Sequence, residues 1–114
     1  MKLPNGHLAI IDPVKLRAYC LSPTHPQGRH KAKVFSAALG LTNAHVTELG
    51  AALRKAAKDG EAQAGKSDEY GMRYVVDFEM THAGKSATVR SSWIVLSGED
   101  LPRLTSAYVL SKGL

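Results

Sequence analysis

The sequence predicts an α+β fold in which N-terminal helices pack on a C-terminal antiparallel β-sheet of three or four strands. A change of pattern carries this prediction: apolar residues recur with helical spacing up to about Gly60 and with strand spacing beyond about Glu69. Size is a further observation, because 114 residues without an internal repeat, a low-complexity tract or a Pro/Ser-rich linker suit one domain. We therefore expect residues 1–114 to form a single domain.

The first predicted elements are short. Residues 8–11 form an apolar run after a Pro-Asn-Gly turn, and they are interpreted as a short strand or extended segment. Asp12 can cap a helix that starts at Pro13, because its carboxylate accepts from free backbone N–H groups and proline suits the first helical turn. That helix is predicted to end at Ser22-Pro23. Its buried face is formed by Leu16, Tyr19 and Cys20.

Two longer helices follow. The second is predicted for 29–39, where Gly40 is a natural stop, and the third runs from Thr42 or Asn43 to about Lys58. Apolar residues at intervals of three and four positions form one buried stripe on each helix. The stripes are Ala32, Phe35, Ala38 and Leu39 in the second helix, and Val46, Leu49, Leu53 and Ala56 or Ala57 in the third.

The second half of the chain predicts strands. Residues 61–68 are small and polar, and they are interpreted as an exposed connector. From 70 to 80 apolar and polar residues alternate, which is typical of a strand with one buried face. The predicted buried residues of this strand are Tyr74, Val76, Phe78 and Met80. A turn at Ala83-Gly84 leads into a second strand, 87–96, whose apolar residues change parity and indicate a bulge or burial on both faces. The third strand is predicted for 104–110, with Leu104, Tyr108 and Leu110 on one side.

The composition is that of a globular domain with a basic balance. Hydrophobic residues make up 44% and charged residues 22%, which disfavours disorder. Fifteen Lys and Arg against ten Asp and Glu give a net charge of +5, which makes a polyanion a candidate partner. No apolar stretch approaches the roughly 20 residues that span a bilayer, and the start lacks a secretory apolar core, so we expect a cytoplasmic protein without membrane association. Cys20, the only cysteine, excludes an internal disulfide and is expected to be a buried small hydrophobe.

The least ordinary segment is 25–33. It carries two histidines and three cations in nine residues, where a Pro/Gly loop leads into a helix. Positive groups at a helix N-terminus oppose the macrodipole, which favours anions there. A phosphate bound by the free N–H groups and by Arg29, His30 or Lys31 would remove that conflict. Lys31 lies at the edge of the buried stripe and is expected to point along the sheet.

Other interpretations of this segment stay open. The prolines and the glycine could have no role other than to shape a tight connection. His25 could donate to a buried carbonyl, and the cations could form a solvent-exposed face of the helix. Zinc binding by His25 and His30 finds no third ligand at a recognisable spacing, and His45 and His82 lie in other elements. Two acidic residues on one strand face, Asp77 and Glu79, are more typical of a solvent-facing strand than of a metal-dependent nuclease. No metal and no cofactor are therefore predicted.

The residue types present in 25–33 suit metal-independent RNA cleavage. This reaction needs a base for the ribose 2′-OH, a cation for the charge that develops on the phosphate, and an acid for the departing 5′ oxygen. Histidine and lysine or arginine can supply all three functions, assisted by a hydroxyl group. The predicted sheet offers further helpers, which are Arg90, Ser91, Arg103, Thr105 and Tyr108.

Several segments together resemble a bacterial domain family of unknown function. They are 21–35 (LSPTHPQGRHKAKVF, with a Ser-Pro-x-His-Pro-x-Gly-Arg-His-Lys signature), 38–41 (ALGL), 70–74 (YGMRY), 92–94 (SWI) and 102–105 (PRLT). The likeness covers nearly the whole chain. It implies a domain that occurs in small free-standing, toxin–antitoxin-like proteins and at the C-termini of large secreted polymorphic toxins. More distantly, the chain looks like ribonucleases of the barnase, EndoU, colicin D and RelE type. These enzymes commonly act without metal and are inhibited by a cognate protein.

The leading hypothesis is therefore a toxin-like, metal-independent endoribonuclease, with RNA and a cognate antitoxin or immunity protein as partners. His25 is expected to act as general base or acid, Lys31 and Arg29 to bind the scissile phosphate, and Thr105 or Arg103 to complete the catalytic set. The predicted substrate-binding residues are His30, Lys33, Tyr70, Arg73 and Arg90. The alternatives are a non-catalytic nucleic-acid binder, for which no free aromatic platform is evident, and an interaction domain such as the inhibitory partner of a toxin.

Overall fold

The fold was analysed in a computed structural model that describes residues 1–110. Helices precede a four-stranded antiparallel sheet of order β1-β2-β3-β4, which confirms the predicted α+β class. The helical elements are a 3₁₀ turn (Gly6–Leu8), α1 (Pro13–Lys15) continued by a π-helix (Leu16–Cys20), α2 (Arg29–Leu39), a second 3₁₀ turn (Asn43–His45) and α3 (Val46–Asp59). The strands are β1 (Ala62–Asp68), β2 (Gly71–His82), β3 (Lys85–Leu96) and β4 (Pro102–Val109).

The helix ends follow from local chemistry. Asp12 Oδ1 accepts a 2.9 Å hydrogen bond from the Val14 N–H, which caps α1 as the sequence predicts. Gly40 ends α2 in the left-handed region, with φ of 64°, where a residue without Cβ avoids strain. Thr42 and His45 form a reciprocal cap at the second 3₁₀ turn, so the third helical segment begins where it is predicted.

The strand alternative for 8–11 is wrong, but the extended alternative is confirmed after Leu8, where Ala9 has an extended backbone with φ of −56° and ψ of 142°. Leu8 closes the first 3₁₀ turn, and only Ile10 makes a bridge, a parallel one to Arg103. Ile10 N–H donates to the Pro102 carbonyl, and Ile10 O accepts from Leu104 N–H. Pairing stops there because Asp12 and Pro13 turn the chain into α1 two residues later. The segment still matters, since it leads α1 to the free edge of β4.

The interpretation of 61–68 as a connector is also wrong, because these residues form β1. Ala62, Gln63 and Ala64 pair with Val76, Val75 and Tyr74, and the register shifts before Ser67. Only Ala62 is buried in this strand. The strand lies at an edge of the sheet and is held by backbone hydrogen bonds, so its side chains carry no apolar alternation that periodicity could detect.

A bulge between β3 and β4 changes which face the last strand buries. Ser92 pairs with Ser106 but Trp93 pairs with Leu104, so Thr105 has no partner. The bulge alternative for 87–96 is wrong, because β3 pairs with β2 without a register shift and the extra residue lies on β4. The other alternative, burial on both faces, is confirmed at Trp93 and Ile94, which are adjacent and both buried. Because the parity of β4 changes at Thr105, Ala107 and not Tyr108 shares the buried side with Leu104. The prediction for Tyr108 is wrong for this reason.

The core lies between the helices and the inner face of the sheet. Phe35 and Leu39 of α2 and Leu49 and Leu53 of α3 are fully buried, as predicted, together with Trp93. The predicted inward side of β2 is confirmed, because Val76 and Met80 are buried and Tyr74 and Phe78 pack against the core. Within residues 1–110, no helix has the length and apolar composition needed to cross a membrane.

One predicted helper belongs to this core. Ser91 is fully buried, its hydroxyl donates to the Val76 carbonyl at 2.8 Å, and the same oxygen accepts from Trp93 Nε1 at 2.9 Å. Ser91 thus supplies the partner that the buried Trp93 indole N–H requires. Ser91 therefore has a structural role, which corrects its assignment to the site.

Candidate functional site

The loop before α2 is folded around the His25 ring. His25 Nδ1 accepts two backbone hydrogen bonds of 3.0 Å, from the N–H groups of Gln27 and Gly28. A nitrogen that accepts is unprotonated, so the ring proton lies on Nε2. The Ser22 hydroxyl accepts from the His25 N–H at 3.2 Å, and the Tyr19 ring meets the His25 ring edge-on at 4.8 Å. These hydrogen bonds hold the loop around the ring, and Nε2–H is the ring's remaining polar group.

His25 and Thr105 meet in a groove between α1 with its π-helix extension and β4. This groove has a volume of about 520 Å³, and we call it the His25 groove. Its polar lining residues are Asp12, Lys15, Tyr19, His25, Gln27 and Thr105. Lys15 Nζ donates to the Thr105 carbonyl at 3.3 Å, and the bulge at Thr105 leaves that residue exposed. Two of the five predicted catalytic residues therefore share one concave surface.

Lys31 lies beside the same region. It is half-buried, and its ammonium nitrogen is 4.6 Å from the centroid of the Tyr108 ring, a cation–π contact. The expectation that Lys31 points along the sheet is confirmed. Burial raises the pKa of the Cys20 thiol, and the nearby Lys15 and Lys31 charges contribute smaller shifts in the opposite direction. Tyr108 follows Thr105 by three positions on β4, so Lys31 contacts the strand that carries Thr105 without lining the His25 groove.

Arg29 and Lys33, which the sequence grouped with Lys31, lie on a different face of α2. Two residues along an α-helix correspond to a rotation of about 200°, so Arg29 and Lys33 face almost opposite to Lys31. They line a second cavity of about 470 Å³, which we call the α2 cavity. Its polar lining residues are Arg29, His30, Lys33, Ser36, Thr42 and Asn43, over an apolar floor that includes Leu21 and Leu41. Residues of segment 25–33 thus line two different cavities: His25 lines the His25 groove, and Arg29, His30 and Lys33 line the α2 cavity.

The predicted arginines of the sheet each pair with a carboxylate on the face opposite the helices. Arg90 binds Asp77 through two hydrogen bonds of 2.8 and 2.9 Å. The hydrogen bond from Arg90 lowers the pKa of Asp77, and Asp77 in turn raises the pKa of Arg90. Arg103 Nε donates to Glu99 at 3.0 Å. Neither Arg90 nor Arg103 therefore presents an unpaired charge.

The third arginine, Arg73, lies in β2 close to the turn that connects it to β1. Arg73 donates to Asp68 at 2.8 Å, and this hydrogen bond is the main cause of the lowered pKa of Asp68. Tyr70 occupies the same turn, where its N–H donates to Asp68 Oδ1 and its ring is exposed. Neither Tyr70 nor Arg73 lines the His25 groove or the α2 cavity.

Two polar residues of the groove were missed by sequence reasoning. Asp12 was interpreted only as a helix cap, and Lys15 was not singled out. Both line the His25 groove, and Asp12 uses Oδ1 for the cap. A usable signal existed, because Lys15 and Tyr19 are four residues apart and share one helix face in a helix that ends just before His25.

Within residues 1–110 a single group of side chains has the composition and spacing of metal ligands. It consists of His45, Glu48 and His82, whose ligand atoms all lie within 4.8 Å of one another. These residues are outside the His25 groove.

Comparisons with known proteins assign a family and a fold. No curated protein sequence matches the chain. A solved structure of a contact-dependent growth inhibition toxin–immunity protein complex from Klebsiella pneumoniae 342 contains a similar chain. The TM-score is 0.66 at 17% identity, and the alignment covers 90% of this chain and 100% of that chain, which shows a shared fold. Residues 2–111 match the family described as a domain of unknown function, DUF6883. The resemblance to a family of unknown function is thus confirmed, and the chain belongs to the DUF6883 family.

Proposed function

We propose that this protein is a toxin-type, metal-independent endoribonuclease that binds the scissile phosphate in the His25 groove. One observation carries the proposal: the fold brings His25, Lys15 and Thr105 to one groove, and Lys31 contacts Tyr108 on the strand that carries Thr105. These are donors and cations that match the charge of a phosphodiester in its transition state. The shared fold with a chain of a toxin–immunity complex supports the toxin context.

The hydrogen bonds of the loop define the role of His25 in this proposal. Nδ1 is engaged by two N–H groups, so protonation there would displace both. His25 therefore acts through Nε2–H, as a hydrogen-bond donor to a phosphate oxygen. Lys31 and Lys15 stabilise the developing charge, and one of them protonates the departing 5′ oxygen. The Thr105 hydroxyl orients the phosphate.

The base that removes the 2′-OH proton is then Asp12. It is the acidic residue of the groove, and its cap to Val14 occupies only one carboxylate oxygen. A carboxylate with one oxygen fixed in place and the other free is suitably oriented for proton abstraction. This assignment replaces His25 as the base and leaves it among the catalytic residues.

The α2 cavity extends the proposed RNA surface. Arg29, His30 and Lys33 supply positive charge at its rim, and apolar residues form its floor. That combination suits a nucleotide, whose phosphate needs cations and whose base needs an apolar surface. In this proposal the RNA strand crosses the His25 loop, with the scissile phosphate in the groove and a neighbouring nucleotide in the α2 cavity.

The test is incubation of the purified chain with total RNA in excess EDTA, read on a denaturing gel. Cleavage by the native chain is expected, and Lys31→Met and Asp12→Asn should each lower the rate by about 100-fold or more, as loss of one transition-state contact does. Lys66→Ala is the matched control, since Lys66 is an exposed cation on β1. RNA that stays intact with every protein would refute the nuclease and favour a binding function. An equal loss of cleavage rate in Lys66→Ala would mean that the rate depends on the overall charge of the protein and not on the groove.

A second candidate is an inhibitory partner of a toxin. The similar structure contains a toxin and an immunity protein, and a shared fold with one of its chains is compatible with either role. The net charge of +5 disfavours an inhibitor of a basic ribonuclease, because like charges repel on approach. Induced expression in bacteria separates the candidates: a toxin arrests growth, and the arrest should disappear with Lys31→Met, whereas an inhibitor is harmless.

A further inference from the structure

Two histidines that are 37 positions apart in the sequence meet at one end of the molecule. His45 closes the 3₁₀ turn before α3, and His82 is the last residue of β2. Their rings lie 4.8 Å apart between centroids, at 66° to each other, and both residues are half-buried. Glu48 follows His45 by three positions on the same helical face and brings a carboxylate to the pair. The result is a set of two imidazoles and one carboxylate.

The His82 ring is oriented as a metal ligand is. His82 Nδ1 lies 2.7 Å from the Leu39 carbonyl, which can only accept, so Nδ1 carries the ring proton. Nε2 then has a free lone pair. Metal-binding histidines almost always donate their other ring N–H to a carbonyl, a carboxylate or a water, which fixes the tautomer and the ring orientation. The C-terminal end of α2 provides that support here.

The His45 ring has to change one hydrogen bond to take part. Its Nδ1 now accepts from the Thr42 N–H at 2.9 Å, so the proton is on Nε2. Coordination through Nε2 moves the proton to Nδ1, and the Thr42 hydroxyl oxygen, 3.3 Å away, is the acceptor that receives it. The Ala44 N–H bond to the same hydroxyl keeps that oxygen in place. Metal binding therefore exchanges one cap hydrogen bond for another.

We propose that His45, Glu48 and His82 bind a divalent transition metal of the Zn²⁺ type. Imidazole nitrogens favour Zn²⁺ over Mg²⁺, and two histidines with one glutamate form a known zinc donor set. Ligands about 2 Å from a zinc ion lie about 3.3 Å from one another. The 4.8 Å limit on the present spacing thus requires a small closing movement, which the exposed Glu48 side chain can supply. Within residues 1–110, no ion pair holds Glu48 elsewhere.

The site would act on structure and not on the RNA chemistry. Its three ligands and their supports join the end of α2, the start of α3 and the end of β2, which are distant in sequence. A metal that binds only the folded chain stabilises it by mass action. Because the site lies outside the His25 groove, this inference does not depend on the proposed ribonuclease activity.

The test is thermal unfolding of the full, metal-free chain in ZnCl₂ and, separately, in MgCl₂. Zn²⁺ should raise the Tm in a saturable way and Mg²⁺ should not. Isothermal titration with ZnCl₂ should give one site per chain. Glu48→Gln and His82→Asn should weaken the affinity by about 100-fold, since even loss of an outer-shell partner costs about 10–100-fold. The asparagine amide can still donate to the Leu39 carbonyl, so His82→Asn removes the ligand and keeps its support.

The control is His7→Ala, which removes an exposed histidine from another part of the surface. It should bind Zn²⁺ like the native chain. No Tm shift and no heat with ZnCl₂ would overturn the proposal, and so would equal binding by the native chain and by Glu48→Gln, which would place the ion elsewhere. If His82→Asn fails to fold, Glu48→Gln alone decides, because Glu48 is exposed and its amide is nearly isosteric.

Discussion

The two ring nitrogens of His25 have different roles. Nδ1 holds the loop by accepting from Gln27 and Gly28, and Nε2–H faces no other protein partner among the hydrogen bonds of residues 1–110. The loop itself matters for the site, because it sets His25 against Tyr19 at the end of the His25 groove. His25→Ala would remove both roles at once, so it could not distinguish the loop hydrogen bonds of Nδ1 from the donor role of Nε2–H.

Two replacements of His25 separate structure from activity. Asparagine places an amide oxygen near the position of Nδ1, and glutamine places a polar group nearer to Nε2. We expect His25→Asn to keep the free energy of unfolding close to native and to lose RNA cleavage. His25→Gln should lose the two loop hydrogen bonds and about 1–3 kcal/mol of stability. Urea unfolding and the EDTA cleavage assay measure the two effects. An active His25→Asn protein would show that His25 only shapes the loop.

The Asp77–Arg90 pair predicts a small acid dependence of stability. Arg90 holds the pKa of Asp77 below its unfolded value of about 3.9, so the stabilisation is complete above that value and decreases as the pH falls through the native pKa. Both side chains are 35% exposed, so solvent screening limits the effect to about 1 kcal/mol or less. The difference in urea unfolding between the native chain and Asp77→Asn should be constant from pH 7 to 5 and shrink towards pH 3. A difference that grows in acid would contradict the assignment.

At the scale of elements, backbone features that carry no hydrophobic signal shape the fold and the site. The bulge at Thr105 shifts β4 by one residue, which buries Ala107 and exposes Thr105 to the His25 groove. The β1–β2 turn depends on Gly71, whose φ is 151° and whose added Cβ would lie 2.2 Å from the Val95 carbonyl oxygen. Without that turn β1 could not pair with β2.

A pair of glycine substitutions tests the turn. Gly98 also has a positive φ, 82°, but an added Cβ would meet nothing within 4 Å. Gly98→Ala should therefore cost only the backbone strain of a positive φ, about 1–2 kcal/mol. Gly71→Ala adds a steric overlap with the backbone of β3 and should cost about 1–3 kcal/mol more. Chemical denaturation of both variants measures the difference. An equal loss of stability in both variants would mean that the β1–β2 turn can accommodate a Cβ at position 71 by moving away from β3.

At the scale of the whole molecule, ion pairs involve residues of the sheet and its turns, and within residues 1–110 none involves a cation of the helices. Acidic residues pair with arginines along the sheet, at Asp68, Asp77 and Glu99. Within residues 1–110, no ion pair engages Arg29, Lys31 or Lys33 at the other side of the fold. Arg54, Lys55 and Lys58 of α3 line a further basic cavity, so the His25 groove and the α2 cavity form one of two basic surfaces that would attract a polyanion.

This distribution predicts the salt dependence of RNA binding. If Lys15, Arg29, Lys31 and Lys33 each neutralise one phosphate of a single strand, the logarithm of the binding constant should fall with the logarithm of the salt concentration with a slope of about −3. Removing Arg29 and Lys33 together should reduce the slope to about −1.5. Fluorescence anisotropy with a labelled RNA and the His25→Asn protein avoids cleavage during the measurement. An unchanged slope would place the RNA away from the α2 cavity.

The sequence by itself determined the fold class, the three helical segments and the inward residues of β2. These features depend on local patterns: caps at Asp12 and Thr42, a stop at Gly40 and the periodic burial of apolar side chains. It also determined that 25–33 is chemically unusual and that Lys31 lies at the edge of the buried stripe. Composition and spacing are sufficient for such statements, because each concerns neighbours along the chain.

Only the tertiary structure decided which of these residues meet. It joined His25 to Lys15 and Thr105, turned Arg29 and Lys33 to the other side of α2, paired the sheet arginines with acids, and brought His82 to His45. It also revealed β1, an edge strand held by backbone hydrogen bonds. The reason is common to all of them. A backbone pairing, a bulge or a contact across about 40 to 90 positions depends on register and packing, which leave no period in the sequence.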